Sequence, residues 1–211
     1  MLKINWNNYF SSVWDEKSKN LALEMLDSFV CACNLFHVDY FLIYGSLLGF
    51  ARNKQIIPWD GDIDLSVNQN FDYTNVRNFL KNKNYNLSYC DTDLVYYQCM
   101  RISHVLGKKT FHPYTWPWID VYYHKNEKNF VKLIGHNKSV FYKTKENNVY
   151  PLIEGFFEDV KLNIPKNYTN ILDGLYPKWD ISYQSCKYTH KTPQQKSRVY
   201  TIPFHFLDKL K

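Results

Sequence analysis

Two aspartates, Asp62 and Asp64, lie two residues apart in an apolar stretch and have the types and spacing to do chemistry. Side chains alternate between the faces of a β-strand, so the two carboxylates share one face at the start of the strand predicted from Ile63 to Val67, and Ile63 and Leu65 point to the core. Two carboxylates about 7 Å apart along a strand repel each other unless a cation lies between them. Mg²⁺ prefers oxygen ligands and usually binds one or two carboxylates together with substrate phosphates. The pattern therefore predicts a divalent-metal site that handles phosphate.

A third acid nearby, Asp60, has the same strand parity, and here two interpretations stay open. Asp60 extends the acid cluster if the strand begins that early, and otherwise it is a turn or helix-cap residue after Pro58 and Trp59. The Asp62 and Asp64 pair also has a plainer interpretation, a solvated strand edge. Its apolar flanks place the pair beside a core and favour the functional interpretation.

Gly45, Ser46 and Asp120 complete the predicted site. A strand that ends in Gly-Ser and opens a helix presents backbone N–H groups and a hydroxyl to an anion, and the glycine lets a phosphate approach the backbone. Asp120 fits a third carboxylate on another strand, because Ile119 and Val121 alternate with it and point to the core; the alternative is an ordinary polar position. Three acids can bridge two metals.

Hydrophobic periodicity and turn residues predict the elements that position these residues. We expect helices over 15–37, in a short segment after Ser46, over 71–83 and over 167–176, and strands over 40–44, 63–67, 95–103 and 118–123. The segment 126–148 is polar and basic and receives no assignment. Because strands and helices alternate, the fold class is predicted to be α/β or α+β, with a mixed sheet flanked by helices in a single domain over 1–211. Residues 182–211 stay unassigned as a basic C-terminal extension.

Charge, cysteine number and the distribution of apolar residues exclude some classes of protein but do not identify a function. The net charge of +6 suits an anionic partner, but the lysines are scattered and form no dense basic stripe, so a nucleic-acid partner is not expected. An odd number of cysteines, 5, without framework spacing indicates reduced thiols. No signal peptide and no run of about 20 apolar residues is visible, so we expect a cytoplasmic protein without a membrane span.

The segment from Tyr44 to Val67 resembles a known family. Its run G-S-L-L-G-x-x-R followed by I-P-W-D-x-D-I-D is similar to the signature of the LicD family, which includes fukutin and fukutin-related protein and belongs to the DNA polymerase β-like nucleotidyltransferase superfamily. Weaker similarity extends the match to about residues 20–181. The sequence departs from the family pattern at Gly61, Asp159 and Pro177, which leaves the acids intact and the substrate open.

The resemblance implies an activity and roles for the acids and the Gly-Ser pair. Family members transfer phosphocholine or phospho-alditol groups from a CDP-activated donor to a sugar hydroxyl of a glycan or glycoconjugate. By that resemblance, Asp62 and Asp64 bind Mg²⁺ or Mn²⁺ on the diphosphate, and Asp120 completes the site or acts as base. Gly45 and Ser46 hold the donor phosphates.

Two arginines and two tryptophans are further candidates for the same site. Arg52 is placed to neutralise phosphate charge or, alternatively, to form a structural ion pair with Asp60. Arg101 is a second candidate phosphate ligand. Trp116 and Trp118 are candidates to stack on a base or a sugar, with ordinary aromatic packing as the alternative.

Three other functions remain as alternatives to phosphotransfer. A nucleotidyltransferase would attach the nucleoside monophosphate itself to an acceptor. A non-catalytic module would only bind a nucleotide or glycan, although unused buried acids are costly to retain. A nucleic-acid binder rests on charge alone and would show a steep salt dependence.

Overall fold

The structure is a computed structural model, and it describes residues 7–89, 99–110, 112–134, 140–186 and 199–204. The helices in these ranges are α1 (Asn7–Phe10), α2 (Glu16–Leu35), α3 (Tyr44–Asn53), α4 (Tyr73–Lys81), α5 (Glu146–Val149) and α6 (Tyr168–Leu175). The strands are β1 (Tyr40–Leu42), β2 (Ile63–Asn68), β3 (Tyr85–Tyr89), β4 (Cys99–Lys109), β5 (Thr115–Glu127), β6 (Phe130–Ile134), β7 (Val140–Lys145), β8 (Ile153–Phe157), β9 (Val160–Ile164), β10 (Ser182–Cys186) and β11 (Val199–Pro203).

The long helix α2 starts and packs as its sequence predicts. Asp15 is its N-cap, and the Asp15 carboxylate accepts a hydrogen bond of 2.7 Å from the backbone N–H of Ser18. This contact satisfies one of the N–H groups that a helix start leaves unpaired. Apolar residues recur at helical spacing and are fully buried, including Met25, Leu26 and Phe29. The helix therefore covers one face of the sheet with a continuous apolar stripe.

Seven strands form a mixed sheet around β5, the strand that carries Asp120. On one side β5 pairs in parallel with β2, which pairs antiparallel with β1. On the other side β5 pairs antiparallel with β4 and, further along, with β6. The strands β3 and β7 extend the sheet beyond β4 and β6. Two separate antiparallel pairs, β8–β9 and β10–β11, complete the described strands.

Alternation along β2 and β5 separates a core face from a polar face. Ile63, Leu65, Ile119 and Val121 are fully buried on the core face. Asp64 and Asp120 lie on the opposite face as direct cross-strand neighbours, because the two strands pair in register at these residues. The sheet therefore brings together two acids that are 56 residues apart in the sequence.

The predicted fold class is confirmed, since helices flank a mixed sheet. Helix α3 begins at Tyr44, so Gly45 and Ser46 lie inside its first turn instead of before it. Tyr44 has a φ of 47°, a left-handed conformation that turns the chain sharply between β1 and α3.

Other differences from the predicted elements lie in the second half of the chain. The unassigned segment 126–148 contains the β6–β7 hairpin, in which Val131 and Leu133 are buried and Lys132 lies between them. Of the strand predicted over 95–103, residues 95–98 lie outside the described residues, and the described strand continues to Lys109. None of the helices in the described ranges is both long and apolar enough to cross a bilayer.

Candidate active site

Three carboxylates converge where the chain enters β2. One oxygen from each of Asp60, Asp62 and Asp64 lies within 4.8 Å of the other two. Asp64 is only 6% exposed, and Asp60 and Asp62 are half-buried. The question that the sequence left open for Asp60 is answered by this geometry: its carboxylate joins the cluster, while its Oδ1 also accepts a hydrogen bond of 3.1 Å from Gly61 N–H.

Burial and mutual repulsion make this acid cluster electrostatically unfavourable by itself. Burial raises the pKa of Asp64 well above its usual range, and the charges of Asp62, Asp60 and Asp120 raise it further. Burial followed by the charge of Asp62 likewise raises the pKa of Asp60. Burial also raises the pKa of Asp62, although Arg101 and the Trp118 indole partly offset it. A cation among these oxygens would relieve the repulsion.

Asp120 and Arg101 form a buried ion pair beside the three acids. The Nε and Nη2 atoms of Arg101 donate to the two carboxylate oxygens of Asp120 at 2.6 and 2.7 Å. The two residues face each other in the β4–β5 register. The guanidinium also lies over the Trp118 ring at 4.1 Å and the Tyr114 ring at 5.2 Å. Arg101 is therefore held in one orientation by a bidentate contact and two aromatic faces.

The start of helix α3 packs directly against the carboxylates. A Cβ atom at Gly45 would lie 2.0 Å from Oδ2 of Asp60 and 3.4 Å from Oδ2 of Asp64, so only glycine fits without displacing the Asp60 side chain. Ser46 Oγ accepts a hydrogen bond of 2.8 Å from the backbone N–H of Asp64. The serine hydroxyl thus fastens the helix start to β2, and its own hydrogen is left to donate elsewhere.

Arg52 lies at the far end of α3 and contacts the C-terminal segment. Its Nη2 donates to the carbonyl oxygens of Trp179 at 2.9 Å and Ser182 at 2.6 Å. Its guanidinium also lies over the rings of Tyr183 and Phe204 at 5.1 and 5.4 Å. Within the described part of the chain it forms no ion pair with Asp60, and its contact with a donor phosphate stays a prediction.

Two tryptophans hold the backbone of the loop that carries the acids. The Trp14 indole N–H donates to the carbonyl oxygen of Asp60 at 2.6 Å, and the Trp116 indole N–H donates to that of Gly61 at 2.7 Å. The sequence pattern indicated Trp116 only as a stacking or packing residue and did not indicate Trp14. The one available signal was that a buried indole N–H normally finds an acceptor, which does not say which acceptor.

The donor set fits a divalent hard cation such as Mg²⁺ or Mn²⁺. All three side chains offer carboxylate oxygens, the ligands that these ions prefer, and the described residues place no Cys or His among them. Because Gly45 has no side chain, the Asp60 carboxylate can occupy its position in the cluster. Asp60, Asp62 and Asp64 would hold the cation, with Asp120 adjacent.

Comparison with known proteins identifies the family of the chain. Over 49 residues the chain is 39% identical to the lipopolysaccharide cholinephosphotransferase LicD of Haemophilus influenzae, which covers 23% of this chain and 18% of that protein. Over 149 residues it is 24% identical to an uncharacterised protein of Rickettsia typhi, covering 68% of this chain and 41% of that protein. The chain thus spans less than half the length of either relative. Residues 37–167 match the family model described as LicD/FKTN/FKRP, nucleotidyltransferase domain, and the chain therefore belongs to this family.

Proposed function

We propose that this protein is a metal-dependent phosphotransferase that moves a phosphocholine- or phospho-alditol-type group from a CDP-activated donor to a sugar hydroxyl of a glycan or glycoconjugate. Membership in the LicD family indicates a transferase that acts on phosphate-containing groups. The observation that carries the proposal is the convergence of Asp60, Asp62 and Asp64 against the glycine that begins α3.

The acids would bind the metal ion, and the start of α3 would bind the donor phosphates. When bound, the divalent cation supplies charge that offsets the negative charge of the transferring phosphoryl group. Asp60, Asp62 and Asp64 would hold this cation. The first turn of α3, at Gly45 and Ser46, presents backbone N–H groups and the positive end of the helix dipole, which favour an anion. Donor phosphates would therefore lie beside the acids, next to this helix start.

Asp120 and Arg101 would serve the acceptor side and the phosphate charge. Asp120 is the nearest further carboxylate to Asp64 across the sheet, so it either completes the metal site or accepts the proton of the sugar hydroxyl. Arg101 holds Asp120 in place and carries a positive charge close to the acids, which suits a phosphate ligand. Holding both reactants in such a site lowers the barrier chiefly by orientation and electrostatics.

The first experiment measures the melting temperature with CDP, CDP-choline, CDP-ribitol or CDP-glycerol, each with and without Mn²⁺. A ligand that binds only the native state raises this temperature, so we expect a shift that needs both the nucleotide and the metal. Asp62→Asn and Asp64→Asn should abolish the metal-dependent part and lower any transfer rate by about 100-fold or more. Asp27→Asn, on the exposed side of α2, is the matched control. An unchanged shift in both site variants would refute the proposed site.

The family description itself keeps nucleotidyl transfer as a second candidate, since it names a nucleotidyltransferase domain. In that reaction the acceptor attacks the α-phosphate and receives the nucleoside monophosphate. The two reactions differ in their products, so mass spectrometry of the modified acceptor separates them. A mass increase of phosphocholine or a phospho-alditol supports our proposal, whereas an increase of a cytidine monophosphate unit supports the second candidate.

A further inference from the structure

We infer that Trp14 and Trp116 are positioning residues, whose indole N–H groups fix the loop that presents Asp60 to the metal. Their hydrogen bonds, of 2.6 and 2.7 Å, reach the carbonyl oxygens of two consecutive residues, Asp60 and Gly61. The two indole rings pack on each other with centroids 5.0 Å apart. The inference rests on the proposed function only through the metal that the acids would bind.

Gly61 explains why this loop needs to be held from outside. It separates Asp60 from Asp62, and glycine has more backbone freedom than any other residue. Left alone, rotation about its bonds would move one carboxylate relative to the next. Hydrogen bonds to the carbonyls on both sides of its Cα, those of Asp60 and Gly61, restrict both peptide planes. The two indoles therefore compensate for a glycine placed between two metal ligands.

The surroundings support a fixed position of the two rings. Trp116 is 8% exposed and lies on β5 four residues before Asp120. Trp14 directly precedes Asp15, the N-cap of α2, so its backbone is tied to the long helix. The adjacent Val13 N–H also donates to the Pro58 carbonyl at 2.9 Å, a second bond between the N-terminal segment and the loop.

Trp14 lies outside residues 37–167, the part of the chain that matches the family model. The N-terminal segment consequently contributes to the geometry of the acids although it supplies no ligand. Partners that orient metal ligands commonly change metal affinity by about 10- to 100-fold when they are removed. The effect should appear in the binding of the metal itself, without any donor or acceptor present.

Trp14→Phe and Trp116→Phe test this role, because phenylalanine keeps an aromatic ring and removes the N–H. The matched control is Trp179→Phe, which removes an indole N–H that donates to the exposed Asp173 at 2.8 Å. Titration of the full chain with Mn²⁺, followed by the electron paramagnetic resonance signal of free Mn²⁺, gives the Kd. We expect each site variant to raise the Kd by about tenfold and the control to change it less than about twofold. Urea unfolding of each variant shows whether the fold persists.

A double-mutant cycle separates positioning of Asp60 from a general loss of structure. If the indoles act through the Asp60 carboxylate, Trp14→Phe should change the Kd much less in an Asp60→Asn background than in the wild type. Trp14 is half-buried, so we expect Trp14→Phe to fold and to allow this test even if Trp116→Phe unfolds. Wild-type affinity in both Phe variants, or an equal loss in both backgrounds, would overturn the inference. If the wild type binds Mn²⁺ and Asp64→Asn does not, the proposed metal site stands whatever the Phe variants show. A wild type that binds no Mn²⁺ would overturn both proposals.

Discussion

Two polar clusters lie on the same face of β2 and β5 and differ in how their charges are balanced. The acid cluster contains Asp60, Asp62 and Asp64, with the Asp120–Arg101 pair beside it. The second cluster, here called the histidine network, contains Ser66, His124, Asp39 and Tyr150. Ser66 follows Asp64 by two residues and His124 follows Asp120 by four, so both clusters use the same strands and the same parity.

The histidine network satisfies its polar groups from within the protein. His124 is fully buried, its Nδ1 lies 2.9 Å from Ser66 Oγ, and its Nε2 lies 3.2 Å from the Tyr150 hydroxyl. The Tyr150 hydroxyl donates to the Asp39 carboxylate. Burial by itself would raise the pKa of Asp39, but hydrogen bonds from His124 and Tyr150 lower it overall.

The comparison shows that burial alone does not decide what a polar cluster is for. In the histidine network the acid has hydrogen-bond donors, so its charge is stabilised and the cluster holds elements together. In the acid cluster burial raises the pKa values of Asp60, Asp62 and Asp64, and like charges raise those of Asp60 and Asp64 further. An arrangement that is costly without a ligand is favourable once a cation binds.

The largest expected effect is on the free energy of unfolding, when Arg101 is replaced. Among the described residues, Arg101 is the cation beside the acid cluster. Arg101→Met leaves the buried Asp120 without its bidentate partner, so the free energy of unfolding should fall by about 3–5 kcal/mol. Urea unfolding at pH 7 without metal measures it. Arg101→Met/Asp120→Asn should recover part of the loss, because it removes the uncompensated charge. A fall of less than about 1 kcal/mol would mean that the pair is not buried as described.

Asp64→Asn and Asp39→Asn should change stability in opposite directions. Without metal, Asp64→Asn removes a charge that three other acids repel, so the free energy of unfolding should rise by about 1–3 kcal/mol. Asp39→Asn removes a stabilised acceptor and should lower it by about 1–2 kcal/mol. Urea unfolding without metal gives the signs, and Mn²⁺ titration should show lost affinity only for Asp64→Asn. If both variants changed the free energy of unfolding in the same direction, the proposed difference between the two clusters would be wrong.

Gly45→Ala tests how tightly the helix start fits the acids. Its Cβ would meet Oδ2 of Asp60 at 2.0 Å, so the carboxylate must move away from its position in the cluster. We expect the Kd for Mn²⁺ to rise by about tenfold, or about 1.4 kcal/mol, with little change in the fold. Gly174→Ala, on α6 against Tyr142, is the control and should leave the Kd unchanged. Normal affinity in Gly45→Ala would show that Asp60 is not needed as a ligand.

The smallest effect concerns the pH dependence of stability without metal. The three acids have raised pKa values in the folded protein, so the folded state binds more protons than the unfolded state between the usual pKa of 3.8 and the raised values. Their contribution to stability therefore falls as the pH rises through this window. Asp39 has a lowered pKa, and its contribution is lost as the pH falls below 3.8. Urea unfolding between pH 4 and 8 should give a more positive slope of stability against pH for Asp60→Asn/Asp62→Asn/Asp64→Asn than for the wild type. An unchanged slope would contradict the raised pKa values.

The elements around the site were predictable because their local patterns are strong. Helix α2 shows apolar residues at helical spacing after a capping aspartate, and the structure places its ends at Glu16 and Leu35. Strand β2 was predicted from Ile63 to Val67 and ends one residue later. The β6–β7 hairpin was missed because its strands mix the buried apolar residues Val131, Leu133 and Ile134 with lysines, which lowers the apolar signal. Exposed strand positions carry little information of this kind.

The sequence predicted those parts of the candidate site that depend only on the alternation of side chains along a strand. Because side chains alternate along a strand, the sequence placed Asp62 and Asp64 on one face and Asp120 on the face opposite to Ile119 and Val121. The parallel register of β2 and β5 brings Asp64 and Asp120 side by side. Parity left Asp60 open, because it lies three residues before β2, where the direction of its side chain depends on the loop. Arg52 shows the same limit: its spacing from the acids is short in sequence, but its guanidinium lies against the carbonyls of Trp179 and Ser182.

The sequence by itself determined the acids, the glycine beside them and the family to which they point, because residue type and two-residue spacing are local properties. Only the tertiary structure decided which side chains share the site. It paired Arg101 with Asp120, brought Asp60 into the cluster and placed the indoles of Trp14 and Trp116 on consecutive carbonyls of the acid loop. The Arg101–Asp120 pair and the two indole contacts join residues 19 to 55 positions apart. Strand register and helix packing set these distances, and no local pattern encodes them.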